Sequence, residues 1–224
     1  MAVIESPRRS LTRSQQDYLK ALYHLGGGAS LVNTSQLAER LGVSPASATE
    51  MLGKLAALAL VHHDRYRGAG LTAEGETVAL EMVRHHRLVE MFLVEKLGFG
   101  WDEVHEEAEL LEHVISERLE DRIFQSLGRP QIDCHGDPIP SRAGRVASAR
   151  YRSLAEVRRT ETVTVRRVSD RDPGKLRELG RLGLKLGAQL AVLRESQYEG
   201  PIAVRLGTRQ RQVPLGLARE VFVA

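Results

Sequence analysis

Apolar residues recur at helical spacing in the first quarter of the chain, and turn residues interrupt them at short intervals. This pattern predicts three short helices: one over residues 14–25, a second that is capped by Thr34 or Ser35 and ends at Leu41, and a third over about 45–57. The glycines at 26–28 end the first helix, and Ser44-Pro45 supplies a cap and a first-turn proline for the third. The last two helices, joined by a tight turn, predict a helix-turn-helix, whose second helix enters the DNA major groove.

Residues 60–72 contain two strand-like stretches on either side of a turn that carries a glycine. The same turn carries Arg65 and Arg67. This arrangement predicts a wing whose strands pack on the helices and whose tip meets DNA phosphates.

Two longer helices are predicted next, from Thr72-Ala73 to about Lys96 and from Trp101 to about Ile123. Their apolar residues cover more than one narrow stripe, which favours packing both on their own chain and on a second subunit; a larger intrachain core is the alternative. Residues 128–140 form a turn-rich connector. The arginine-rich residues 142–160 predict either a linker or a short exposed helix.

From residue 162 onward, five short strand-like stretches are separated by turn residues, with one helical interruption in LRELGRLGLKLG. This pattern predicts a small β-barrel. The predicted fold class is therefore mainly α with a small β domain. The predicted boundaries are a winged helix-turn-helix over 1–75, a helical domain over 76–141, a linker over 142–161 and the β domain over 162–224.

Composition narrows the class of protein. The chain has 224 residues, 42% hydrophobic and 27% charged, which excludes wholesale disorder. No apolar run approaches the roughly 20 residues that span a bilayer, and residues 1–15 lack the apolar core of a signal peptide, so we expect a cytoplasmic protein with no membrane partner. The single cysteine, Cys134, excludes an intrachain disulfide and a cysteine-rich zinc site. Any metal must then be held by His, Asp and Glu.

Charge divides the chain into three blocks. Residues 1–75 carry 8 basic and 6 acidic side chains, residues 76–123 carry 5 and 13, and residues 124–224 carry 19 and 10. A mildly basic head, an acidic middle and a basic tail indicate three modules.

The acidic block contains the candidate chemistry. Glu109, Glu112 and His113 stand at positions i, i+3 and i+4, which places them on one face of the predicted helix. His105 lies one turn earlier, and His86 and Glu90 form another i, i+4 pair on the preceding helix. Two such sets on consecutive helices predict two adjacent cation sites.

Several strings in the same order carry a family resemblance. These are SPASATEML, YRGAGLT, VRHHRLVEMFL, VHEEAELLEHVIS and HGDPIP. With them the chain resembles the diphtheria-toxin-repressor family of metal-dependent transcription regulators, in its manganese-responsive, three-domain form. The resemblance implies a winged helix, a helical metal-binding and dimerisation domain and an SH3-like (FeoA-like) domain.

The resemblance also implies the ligands of two sites. The primary site would be Glu109, Glu112 and His113, completed by Asp17 on the first helix. The ancillary site would be formed by His86, Glu90, His105 and Asp170. A further ancillary ligand aligns with Pro173, which has no side-chain donor atom, so Asp172 is its possible substitute. Cys134-His135 is interpreted as part of the family's connector loop.

The ligand types indicate the metal. At the positions that align with Glu109 and Asp17, iron-regulated members of the family carry a cysteine and a methionine. Manganese-responsive members carry carboxylates at both positions. Oxygen ligands suit Mn²⁺, the weakest binder in the Irving–Williams order. The expected cofactor is Mn²⁺, alternatively Fe²⁺, with Co²⁺, Cd²⁺ or Zn²⁺ as substitutes in vitro. Lys20 stands where the short manganese regulators have a further glutamate, so we do not expect their bridged two-metal arrangement.

The predicted function is a homodimeric, metal-dependent repressor of metal-homeostasis genes. A cation joining Asp17 to the helical domain would set whether both recognition helices reach operator DNA, with a linkage of about 1–3 kcal/mol. Phosphate contacts would come from Lys54, the wing and an Arg8-Arg9 arm. The candidate DNA-contacting residues are Ser44, Pro45, Ala46, Ser47, Thr49, Glu50, Lys54, Arg65 and Arg67.

Two other functions stay open from the residues alone. One is a winged-helix regulator that answers to another signal, with the His and Glu side chains merely solvated. The other is a metal-dependent hydrolase, which would need an open coordination position and a substrate pocket. No nucleophile motif or phosphate loop is present, so we expect neither an enzyme nor a small organic substrate.

Overall fold

The structure, a computed structural model, describes residues 10–64, 66–148, 150–158, 160–170, 172–193 and 200–224. The chain divides into two compact units. The first contains the residues up to His86 together with Leu111–Ser116 and Pro140–Val146. The second contains Arg87–Leu110, Glu117–Ile139 and Ala147–Ala224. The domain boundaries predicted from the sequence stay a prediction.

The first unit opens with the three predicted helices, which are confirmed. They are α1 (Arg13–His24), α2 (Thr34–Leu41) and α3 (Pro45–Ala57). Gly42, at a φ of +64°, ends α2 in the left-handed conformation that glycine adopts without strain. Ser44 then caps α3, because its side chain accepts a hydrogen bond from the amide of Ser47. These local signals fix the helix-turn-helix.

The predicted wing is present as an antiparallel pair, β1 (Val61–Asp64) and β2 (Gly68–Leu71). Ala69 also bridges to Val32, which brings β2 against the segment before α2. Gly68 is required at this approach: its φ is +106°, and a Cβ there would lie 2.1 Å from the carbonyl oxygen of Val32. The helices and wing share one core, whose fully buried members include Leu19, Leu22, Leu37, Leu52 and Leu55.

The long helix is confirmed as α4 (Ala73–Leu97), but the single helix predicted from Trp101 to Ile123 is wrong. The chain forms α5 (Val104–Leu111) and α6 (Glu117–Ser126) instead. The amides of Val114 and Ile115 both bond to the carbonyl oxygen of Leu111, at 3.0 and 3.2 Å, and close α5 with a turn. Ser116 then precedes α6 at a position that favours serine, and glutamates occupy the first turn of α6.

The second unit contains a six-stranded antiparallel sheet in the order β3-β8-β4-β5-β6-β7. Its strands are β3 (Arg152–Ser153), β4 (Thr162–Val168), β5 (Gln189–Val192), β6 (Ile202–Leu206), β7 (Arg209–Val213) and β8 (Val221–Val223). Two helices, α7 (Pro173–Leu182) and α8 (Leu215–Ala218), interrupt the strands. The five predicted strands and the mainly α fold class are confirmed, and the sheet is open and SH3-like rather than a closed barrel.

Two details of the second unit differ from the sequence-based expectation. Arg152–Ser153 lies in the segment expected to be a linker or an exposed helix, yet it pairs with β8. In the turn-rich connector, a Cβ on Gly136 would lie 2.1 Å from the carbonyl oxygen of Arg166, so the connector runs directly against β4. None of the helices in the described ranges is long and apolar enough to cross a membrane.

Candidate metal centre

The first candidate site joins α1 to the turn that follows α5. Asp17 lies on α1, and Glu112 and His113 lie in the turn. Asp17 Oδ1 is 3.0 Å from His113 Nε2, and Glu112 Oε1 is 3.5 Å from the same nitrogen. The structure therefore brings together two carboxylates and one imidazole that the sequence assigned to the primary site.

Orphaned polar atoms at this cluster fit a cation. His113 Nδ1 lies 2.7 Å from Gln16 Oε1, and with its proton on Nδ1 the ring donates to that oxygen. The lone pair of Nε2 then faces Asp17 Oδ1, and both atoms are buried without a hydrogen-bond partner. Histidines that ligate metals commonly donate their other N–H to an oxygen in this way. A cation would satisfy both atoms at once.

Glu112 is fully buried, and each of its oxygens faces a nitrogen. Oε1 is 2.6 Å from Lys20 Nζ, and Oε2 is 2.5 Å from His86 Nδ1. A buried carboxylate is stable only when it is paired and hydrogen-bonded. Lys20 thus places its terminal nitrogen beside Glu112, at a point where a second divalent cation would need that space.

The helical face expected from the i, i+3, i+4 spacing is not formed. Glu109 lies on α5, whereas Glu112 and His113 follow the end of that helix. Glu109 belongs to the second unit, where its Oε1 is 3.7 Å from His105 Nε2. Its role as a primary ligand stays a prediction from the family resemblance.

A second cluster forms in the second unit from three residues predicted for the ancillary site. Donor atoms of Glu90, His105 and Asp170 lie within 4.8 Å of one another. His105 Nδ1 is 3.3 Å from Glu90 Oε1. His86, which was also predicted for the ancillary site, belongs to the first unit, where its Nδ1 contacts Glu112. Asp172 caps α7 instead, because its Oδ1 accepts bonds from two amides in the first turn of that helix.

Cys134 and His135, interpreted from the sequence as loop residues, lie beside Glu90. His135 Nδ1 is 3.7 Å from Glu90 Oε2 and 3.6 Å from Cys134 Sγ, and His135 Nε2 donates to the carbonyl oxygen of Trp101 at 2.9 Å. Burial raises the pKa of the Cys134 thiol to about 11. Burial also lowers the pKa of His135, but the hydrogen bond to Cys134 and the nearby Glu90 carboxylate outweigh it and raise that pKa to about 12. A cation here would have to displace these protons.

The connector holds His135 in position through a buried carboxylate. Asp133 Oδ1 accepts the amides of His135 and Asp137, both at 2.9 Å, and Asp133 Oδ2 faces Arg87 Nε at 3.3 Å. Arg167 of β4 lies over the Phe222 ring and reaches Asp137 at 3.4 Å. The adjacency of a histidine and a cysteine is the only sequence signal for this site.

The candidate DNA-contacting side chains lie at the start of α3 and at the wing. Ser44, Pro45, Ala46, Ser47, Thr49, Glu50, Lys54 and Arg67 are all exposed. Lys54 is 2.7 Å from Glu50, and this hydrogen bond holds the pKa of the Glu50 carboxyl below its usual value. Asp64 Oδ1 accepts the amides of Tyr66 and Arg67, which shapes the wing tip. Arg65 and the Arg8-Arg9 pair lie outside the described residues.

Family models match most of the chain. The model for the N-terminal DNA-binding domain of the iron-dependent repressors matches residues 10–69. The model for their metal-binding and dimerisation domain matches residues 72–141. A FeoA-domain model matches residues 152–224.

Known proteins show the same similarity. The chain is 34% identical over 130 residues to the iron-dependent repressor IdeR of Mycobacterium leprae, a match that spans 58% of this chain and 56% of that protein. It is 34% identical over 112 residues to the HTH-type transcriptional regulator MntR of Oceanobacillus iheyensis, spanning 50% of this chain and 76% of that one. A solved manganese-dependent transcriptional repressor in complex with manganese superposes with a TM-score of 0.86, at 42% identity, over 94% of this chain and 99% of its own.

Proposed function

Because this chain belongs to the iron-dependent repressor family of metal-dependent, DNA-binding regulators, we propose that it represses metal-homeostasis genes with Mn²⁺ as co-repressor. In this function the protein is a homodimer that binds double-stranded operator DNA when the cation is present. Fe²⁺ is the alternative activator. The observation that carries the proposal is the pair of buried, unpartnered atoms, Asp17 Oδ1 and His113 Nε2, 3.0 Å apart.

The cation would act through α1. Asp17 belongs to this helix, whose residues Tyr18, Leu19 and Leu22 are buried in the same core as α2 and α3. Glu112 and His113 would hold the cation from the turn after α5. Because α1 packs as part of the DNA-binding core, fixing Asp17 to that turn fixes the orientation of the recognition helix.

Oxygen-rich ligands support Mn²⁺ at this site. Asp17 and Glu112 offer hard carboxylate oxygens, and His113 is the one nitrogen donor. The Lys20 side chain occupies the position beside Glu112 where a second cation would otherwise bind, so one divalent ion is proposed here. Glu109 stays a predicted further ligand.

A second cation is proposed at Glu90, with Cys134 and His135 as ligands and His105 and Asp170 as neighbours on the opposite side of the carboxylate. Two groups share Glu90: one adds the thiol of Cys134 and the imidazole of His135, and the other adds the imidazole of His105 and the carboxylate of Asp170. This differs from the ancillary site predicted from the sequence by including Cys134 and His135. Occupation of the cluster would stabilise the connector against the sheet.

DNA contact and dimerisation rest on exposed residues. Small hydroxyl and methyl side chains at the start of α3 would read bases, while Lys54 and Arg67 would meet phosphates. Apolar residues on and beside α5 and α6 are exposed in the single chain: Leu110, Leu111, Val114 and Leu119. Such side chains favour burial against a second copy.

The test compares DNA binding with and without metal. A duplex selected from a random pool by the protein in excess Mn²⁺ would be titrated, by fluorescence anisotropy, in Mn²⁺, in Fe²⁺ under reducing conditions and in chelator. We expect tight binding only with metal and the highest affinity with Mn²⁺. Equal affinity in chelator would favour a regulator of another signal, and metal-dependent cleavage of generic phosphoester or peptide substrates would favour the hydrolase.

A further inference from the structure

A cavity of about 750 Å³ opens in the second unit beside α7, within the roughly 300–1,000 Å³ typical of small-molecule sites. One wall is apolar and comes from the end of α4 and the segment before α5. The other wall is basic and comes from α7 and the turn after it. Its principal lining side chains are Phe99, Trp101, Leu186, Arg177, Arg181 and Lys185.

The basic wall is only partly neutralised. Arg177 lies 3.6 Å from Asp102, and Arg181 lies 3.2 Å from Glu178. Lys185 forms no ion pair with any side chain in the described part of the chain. Its Nζ lies 5.9 Å from the centre of the Trp101 ring, within the range of a cation–π contact. The cavity therefore presents positive charge next to an aromatic surface.

Gly180 keeps the indole of Trp101 accessible. A Cβ at this position would lie 3.5 Å from Trp101 Nε1, so a longer side chain would crowd that edge of the indole. The Trp101 ring itself is half-buried. It also stacks on His135, with 5.9 Å between ring centres, and this contact fixes the orientation of the indole. A rigid aromatic surface with low conformational freedom is well suited to stacking against a planar ligand.

We propose that this cavity binds a small planar organic anion, such as an aromatic carboxylate. The ring of the ligand would lie against Trp101 and Phe99, and its anionic group would meet Lys185 and Arg181. The ligand would be bound and not transformed, which is compatible with the absence of a small organic substrate expected from the sequence. The cavity shares none of the residues proposed to bind DNA.

The binding test uses the natural fluorescence of the protein. Trp101 is the single tryptophan of the chain, so its emission reports on this cavity directly. The full-length protein would be titrated with anilinonaphthalene sulfonate, a planar aromatic anion, while energy transfer from Trp101 to the probe is followed. We expect saturable transfer with one site per chain. Binding of the neutral N-phenylnaphthylamine measures the contribution of the aromatic ring to affinity. Binding of inorganic sulfate measures the contribution of the negative charge.

Variants decide whether the probe binds in the cavity. Lys185→Ala should weaken binding about 2- to 5-fold, as expected for one exposed charge contact. Gly180→Leu should weaken probe binding, because the added side chain would crowd the Nε1 edge of the indole. Arg209→Ala, an exposed basic residue of β7, is the matched control and should bind as the parent does. Circular dichroism checks that each variant is folded.

Two results would overturn the proposal. One is neutral N-phenylnaphthylamine binding as tightly as the sulfonate, which would indicate a general apolar surface. The other is unchanged probe affinity in Lys185→Ala, whether or not Gly180→Leu folds. Loss of affinity in Lys185→Ala together with weak binding of the neutral probe supports the site.

Discussion

Replacing Asp17 with asparagine should separate metal binding from metal-dependent DNA binding. The change preserves the size of the side chain and removes one charged ligand from α1, while Glu112 and His113 stay in place. Asp17 is 30% exposed, and its Oδ1 has no hydrogen-bond partner. The metal-free variant should therefore keep its unfolding free energy within about 0.5 kcal/mol of the parent, because the change breaks no hydrogen bond of Asp17 Oδ1.

The size of the effect follows from linkage. Coupling between two binding sites is worth about 1–3 kcal/mol, which corresponds to an increase of about 5- to 150-fold in operator affinity when the cation binds. In the proposed site, that coupling passes through the contact between Asp17 and the cation. Asp17→Asn should reduce the Mn²⁺-dependent increase to near unity, while Glu112 and His113 still give measurable Mn²⁺ binding.

The assay needs two measurements on the same variant. Calorimetry measures Mn²⁺ binding, and fluorescence anisotropy measures affinity for the selected duplex with Mn²⁺ and with chelator. Glu39→Gln, which removes an exposed acidic charge from α2, is the control for the change in net charge near DNA. If Asp17→Asn gained as much operator affinity from Mn²⁺ as Glu39→Gln does, Asp17 would not be the ligand on α1.

Four further predictions address the other features. His113→Ala removes the nitrogen ligand and should abolish Mn²⁺-activated DNA binding in the same anisotropy assay. Lys20→Met leaves the buried Glu112 carboxylate with one fewer partner and should lower the unfolding free energy of the metal-free protein by about 2–3 kcal/mol in urea titrations, with part of the loss restored by Mn²⁺. Cys134→Ser should weaken binding of the second cation, measured by calorimetry with Fe²⁺, and leave binding at the Asp17 site unchanged; weakened binding at the Asp17 site alone would refute the ligand assignment. Val114→Glu puts a charge on a side chain that is 75% exposed in the single chain, and sedimentation should show a shift from dimer to monomer.

The elements that the sequence predicts well carry their signals locally. The helix-turn-helix can be placed because Gly42, Ser44 and Pro45 act within a few residues of one another. The strands of the C-terminal domain alternate in polarity and end at turn residues. In each case the sequence signal that predicts the element lies within or directly beside the element.

The break between α5 and α6 and the short strand β3 do not show in the sequence pattern. Leu110, Leu111, Val114 and Ile115 continue the helical spacing, so the sequence predicts one helix where the structure has a turn. Arg152–Ser153 is too short to show a period and becomes a strand only because β8 lies beside it.

The metal clusters are also only partly predictable from the sequence, because their residues lie far apart along the chain. Asp17, Glu112 and His113 are identified through the family resemblance, and the structure places them together. The sequence does not assign Cys134 and His135 to a metal site, because their partner Glu90 lies on α4, far away along the chain. Only the folded connector brings a thiol, an imidazole and that carboxylate within reach of one cation.

The hydrogen bond from His113 to Gln16 has a consequence for response times. It orients the imidazole before any cation arrives, so capture requires little rotation of the ring. The association rate would then be limited by loss of water from the incoming ion, and the dissociation rate would set how long the bound state persists after the supply falls. Such a regulator would bind the cation soon after its concentration rises. It would return to the metal-free state at the rate at which the cation dissociates from its ligands.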